Sequence, residues 1–125
     1  MARSSAKSYR DLIVWQKSMD LVVSCYQLTK LLPREEVYGL SSQIRRAAVS
    51  IPSNIAEGYG RKSRNSYTHF LSISQGSLKE LETDLILCHR LQFVEQVKID
   101  NVLTQCEEVG RILNVMITKL EQEAS

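Results

Sequence analysis

Four segments of this chain place apolar residues three and four positions apart, and that spacing restricts the fold more than any other feature. The first carries Leu12, Trp15, Met19, Val22, Tyr26 and Thr29. A second carries Ile44, Ala48, Ile51 and Ile55. The third carries Tyr67, Leu71, Ser74, Leu78, Leu81, Leu85 and Cys88, and the fourth Ile99, Val102, Cys106, Val109, Leu113, Met116 and Leu120. Such seams belong to helices packed nearly parallel or antiparallel, and no segment alternates like a strand. The breaks between them are short. Leu32-Pro33-Arg34 ends the first helix, because a proline disfavours helical backbone at the residue before it. Gly58 to Asn65 ends the second and offers Ser63 or Asn65 as the cap of the third. Gln92 to Gln96 joins the last two. Short connections make successive helices antiparallel, so the expected fold is all-α, an up-down-up-down four-helix bundle with a kinked second helix. The bundle is expected over residues 9–122, behind a disordered tail at 1–8.

The second helix is built unlike the others. Leu40 to Gly60 includes Pro52, Gly58, Gly60, three alanines and several serines. A proline inside a helix costs about 3 kcal/mol and a glycine up to about 1. Small residues there suit close backbone approach. With Ile44, Ala48, Ile51 and Ile55 turned to the core, 100° per residue places Arg46, Ser50, Ser53 and Glu57 on the opposite face. That face is the expected subunit interface, with Arg46 and Glu57 available to pair across it. Pro52 removes the usual donor to the Ala48 carbonyl, which nearby Ser or Asn side chains are expected to replace. The first helix also carries Ile13, Val23 and Leu31, and the fourth Leu103, Ile112 and Ile117. These widen the seams beyond one stripe, as either a homo-oligomer or a generously apolar core would.

Charge is uneven along the 125 residues. Residues 1–64 hold eleven Lys/Arg against five Asp/Glu, whereas residues 65–125 hold five against nine. Arg61, Lys62 and Arg64 form the densest positive group. With Arg45 and Arg46 they are the candidate nucleic-acid-binding residues, for RNA or DNA, through phosphate contacts that carry little sequence information. Tyr59 falls toward the core on the same wheel, so no base-stacking platform is expected. Glu80, Glu82, Asp84, Glu107 and Glu108 give the last two helices an acidic face, suited to a basic protein partner.

Catalytic chemistry has no sequence signature here. His69 and His89 lie twenty residues apart on one helix, about 30 Å, too far to share a metal. There is no HExxH, no ExxH partner for Glu80, Glu82 or Asp84, and no phosphate-binding glycine pattern. Asp84 and Cys88 stand one turn apart, but His89 points elsewhere. Cys25, Cys88 and Cys106 lack CxxC spacing and each falls on an apolar helix face, as core residues in a reducing cytoplasm. No catalytic, metal or cofactor site is expected, and a cytoplasmic, non-enzymatic protein without a membrane span is.

Three strings carry a family resemblance: Tyr9-Arg10-Asp11-Leu12-Ile13-Val14-Trp15-Gln16; Gln43 through Gly58, with Ser50-Ile51-Pro52-Ser53-Asn54-Ile55-Ala56-Glu57-Gly58 at its centre; and Phe70-Leu71 through Glu80-Leu81-Glu82-Thr83. Together they resemble the bacterial proteins encoded in intervening sequences of 23S ribosomal RNA genes, the S23-type family, from about residue 9 to 120. The resemblance implies a helical bundle that assembles as a homopentamer. It extends, more distantly, to the accessory variability determinant of diversity-generating retroelements, through Glu108-Val109-Gly110-Arg111-Ile112-Leu113. That relation implies an accessory partner of a reverse transcriptase or another nucleic-acid-processing protein. Two functions therefore stand side by side: an oligomeric scaffold binding nucleic acid through basic surface, and a protein-interaction adaptor.

Overall fold

In the computed structural model, residues 6–124 are described. Four helices form the molecule: α1 (Ile13–Thr29), α2 (Leu40–Tyr59), α3 (Arg64–Arg90) and α4 (Gln96–Ala124). Each helix packs against its two neighbours in the cycle, α2 and α3 most extensively, while α1 faces α3 and α2 faces α4 across diagonals. The first residues of α1 and α3 meet the last of α2 and α4 at one end of the molecule. The chain is thus the up-down-up-down four-helix bundle that its seams imply.

The seams of α2, α3 and α4 are the core. Ile44, Ile51, Ile55, Leu71, Leu78, Leu81, Leu85 and Leu113 are fully buried. Helix α1 is rotated by one position from its expected seam. Its buried line is Val14, Ser18, Leu21, Cys25 and Leu28. Of the expected seam, Thr29 is buried and Leu12, Trp15 and Val22 pack at the core's edge, while Met19 and Tyr26 are exposed. Two apolar lines run side by side on this helix, and Ser18 interrupts the one that is buried. A helical serine can satisfy its hydroxyl on its own backbone. Ser18 Oγ donates to the Trp15 carbonyl at 2.8 Å, so its burial leaves no orphan. Of the residues that widen the seams, Leu103, Ile112 and Ile117 pack onto the core, whereas Ile13, Val23 and Leu31 stay exposed.

Helix α2 runs through Pro52 without interruption. Nearby, Asn54 Nδ2 donates to the Ser50 carbonyl at 2.8 Å and the buried Ser74 hydroxyl of α3 donates to the Ile51 carbonyl at 2.9 Å. Gly58 serves the α2–α3 contact. A Cβ on Gly58 would stand 2.8 Å from Phe70 Cβ, so only glycine permits this approach.

Among the described residues, 3-10 turns precede α1 and α2, at Tyr9–Asp11 and Arg34–Glu36. Ser8 and Asp11 form a reciprocal capping box on the first. Lys7 N–H also donates to Asp11 Oδ2, at 2.8 Å; residues 1–5 of the expected tail lie outside the described residues. In the second turn, Glu36 Oε1 accepts from Leu40 N–H at 3.0 Å and caps α2. Helix α3 closes through Gln92, whose φ of 65° is left-handed, with Phe93 N–H on the Cys88 carbonyl and Gln92 N–H on that of His89.

Candidate functional site

The link between α2 and α3 is short and largely cationic. After Gly60 the chain turns, Arg61 N–H donating to the Gly58 carbonyl at 3.0 Å. Of the two expected caps, Ser63 is the one used: its hydroxyl accepts from Ser66 N–H at 3.0 Å and starts α3. The turn therefore sets Arg61, Lys62 and Arg64 at the bundle end where α1 begins and α4 finishes.

A cavity of about 580 Å³ opens there. Arg61, Lys62, Arg64 and Lys119 line it, all four exposed. Leu12, Tyr67 and Met116, half-buried, and Leu120, buried, line it as well. Tyr59 belongs to the same wall, its ring edge-on to that of Tyr67 with centroids 6.1 Å apart. The Tyr59 hydroxyl donates to the Ala6 carbonyl at 3.3 Å. Tyr59 is half-buried, with its ring against Tyr67, which packs on the core, and both also line the cavity. Lys119 and Tyr67 were missed in sequence, because the first lies 55 positions beyond Arg64 and the second reads as a seam residue.

The cations are not equivalent. Arg61 pairs with Glu57 one turn back on α2, and its guanidinium lies 4.7 Å from the centre of the Phe70 ring. Arg64 Nη1 donates to the Glu123 carbonyl at 2.7 Å, and its Nε is 3.8 Å from the Glu123 carboxylate. Lys62 and Lys119 form no ion pair among the described residues. Paired arginines hold their positions, and the two lysines supply uncompensated charge.

Arg45 and Arg46 belong elsewhere. From Arg45 to the end of α2 is roughly 21 Å at 1.5 Å per residue, so the five candidate cations divide between the two ends of the bundle. Arg45 Nε donates to Thr29 Oγ1 at 3.1 Å, and its guanidinium stands 4.8 Å from the centre of the Tyr26 ring on α1. Arg46 is exposed.

The expected interface face of α2 is divided as well. Arg46, Ser53 and Glu57 are exposed, Glu57 being engaged by Arg61. Ser50 is half-buried against α3, 2.8 Å from Ser77 Oγ, rather than opposite the core. Of the expected acidic face, Glu80 and Glu107 are exposed and Glu108 pairs with Lys17 of α1 at 3.0 Å. Asp84 is only 5 % exposed, with one carboxylate oxygen lacking a hydrogen bond. Burial raises its pKa above the ordinary carboxylate value, and the charge of Glu80 adds to this.

A second cavity, about 520 Å³, lies between α3 and α4 beside Gly76 and Gly110. Lys79, Glu82, Glu107 and Arg111 give it balanced charge. Among the described residues no three or more His, Cys, Asp or Glu side chains are grouped to hold a metal, and no helix is long and apolar enough to cross a membrane.

The fold recurs in a known protein. A crystal structure of a protein of unknown function from the S23 ribosomal protein family of Bacteroides thetaiotaomicron is similar to this chain, with 27 % identity and a TM-score of 0.78. The match covers 84 % of this chain and 98 % of that one. No curated protein matches. The family model described as 23S rRNA-intervening sequence protein matches residues 10–115, which take in all three strings of the resemblance except Tyr9 and reach well into α4. By that match, over most of its length, the chain belongs to the 23S rRNA-intervening sequence protein family.

Proposed function

We propose that this protein is a non-enzymatic, homo-oligomeric helical scaffold that binds RNA through the cationic end of its bundle. One observation carries the reading: Arg61, Lys62, Arg64 and Lys119, drawn from the α2–α3 link, α3 and α4, converge on one cavity. Cations brought together from separate parts of the chain make a local positive field that favours phosphate. A ring of subunits, pentameric as the family resemblance implies, multiplies weak contacts through effective concentration. Apolar residues left exposed on α1 (Met19, Val23 and Tyr26) and on α2 (Val49) support self-association.

A second reading, an adaptor for a basic protein such as a reverse transcriptase or another nucleic-acid enzyme, draws on the exposed carboxylates Glu80 and Glu107. The two readings separate in one experiment. Light scattering on size-separated protein, at low and high salt and with single-stranded RNA, should show a pentamer-sized species that gains RNA mass only at low salt. An oligomer that ignores RNA at every salt, yet retains a basic protein through nuclease treatment, would replace the RNA reading with the adaptor. A monomer at all concentrations would end the scaffold reading.

A further inference from the structure

The lining of the cationic cavity is of two kinds. Its rim is polar and exposed: Arg61, Lys62, Ser63, Arg64 and Lys119. Its floor is apolar and aromatic, formed by Leu12, Tyr67, Met116 and Leu120 with Tyr59 beside them. Phosphate alone would use the rim and leave the floor in water. An uncharged apolar molecule would use the floor and gain nothing from four cations. A ligand that joins an anion to a flat aromatic ring satisfies both, and a volume of about 580 Å³ is within the range of sites for such molecules.

We infer that the cavity holds one unstacked nucleotide, its 5′-phosphate at the Lys62 and Lys119 rim and its base on the Tyr67 and Met116 floor. The nucleotide belongs to a single RNA strand, an assignment that rests on the proposed RNA binding. A base inside a duplex is stacked and paired, and reaches such a floor only after leaving the stack. An unpaired base meets no such cost, and stacking on an aromatic side chain tolerates any base. The site therefore selects single strands over duplex with little preference for sequence. Arg61 and Arg64 are held by Glu57 and Glu123, which leaves the unpaired lysines to take the phosphate charge.

The test is calorimetry on the full chain at low salt with three probes: adenosine 5′-monophosphate, ribose 5-phosphate and adenosine. The monophosphate should bind about tenfold or more tightly than either fragment and should displace a labelled single-stranded RNA. Lys119→Glu should weaken the monophosphate about tenfold, while Lys98→Glu, at the opposite end of α4, should change it by less than about twofold. Ribose 5-phosphate binding as tightly as the monophosphate would remove the base from the floor. An unchanged affinity in Lys119→Glu would place the nucleotide elsewhere. Binding of RNA without binding of the monophosphate would overturn the nucleotide cavity and leave the scaffold reading intact. The monophosphate binding without any RNA binding would make the ligand a free nucleotide, overturning the assignment to a strand.

Discussion

Asp84 shares its face of α3 with Leu81, Leu85 and Cys88, and its Oδ2 accepts no hydrogen bond. Because burial raises its folded pKa above 3.8, the unfolded chain loses this proton at lower pH than the folded chain does. Stability then falls as pH rises through the interval between the two values, and the ionised group is a penalty at neutral pH. An unsatisfied buried polar group costs about 1–3 kcal/mol. Asp84→Asn should raise the melting temperature at pH 7 by about 3–6 °C, with the gain shrinking as pH approaches the ordinary carboxylate range. Thermal scans at several pH values check this, and a less stable variant at pH 7 would show that the carboxylate is needed. The thiols are shielded in a related way. Burial, with Cys88 nearby, pushes Cys25 up to about 12; burial, with Asp84 and Glu36, pushes Cys88 up to about 11; and burial pushes Cys106 higher still. A thiol reagent at pH 8 should leave the native protein unlabelled over minutes and modify all three cysteines once it is unfolded. Rapid labelling of the native protein would contradict their burial.

At the scale of the elements, the α2–α3 pair depends on small side chains. Gly58→Ala would gain up to about 1 kcal/mol of helix propensity. It would also force Cβ against Phe70 Cβ and the Tyr67 ring, at 2.8 and 3.1 Å. Overpacking of that kind costs about 1–3 kcal/mol, so denaturant titration should show a net loss, of up to about 2 kcal/mol where the full propensity gain is realised. A gain would mean that the two helices separate easily. The helices themselves were legible in sequence because three of the four seams have one dominant apolar line. The rotation of α1 was not legible: two lines of similar apolarity run along it, and which is buried depends on the partners in α2 and α4. Ser50 and Asp84 were misplaced for a related reason. A polar residue one step from the seam is buried or exposed according to what the neighbouring helix offers, and the wheel contains no neighbour. The 3-10 turns at Tyr9–Asp11 and Arg34–Glu36 are too short to leave a period.

For the whole molecule, the antiparallel topology does what no local pattern announces. It carries Lys119 back to Arg61, Lys62 and Arg64, and it holds Arg45 and Arg46 at the far end of α2. Half of the candidate site was therefore readable as a basic run, and its partner lysine, aromatic wall and apolar floor were not. The central claim, that this end of the bundle binds RNA phosphate, is tested most directly by fluorescence anisotropy of a labelled single-stranded RNA titrated with protein at several salt concentrations. With two unpaired lysines per subunit, the logarithm of the association constant should fall against the logarithm of salt with a slope of about −1.4 for each subunit engaged. The Lys62→Glu/Lys119→Glu variant, folded by its helical spectrum, should lose that binding. Affinity and slope unchanged in the double variant would contradict the account.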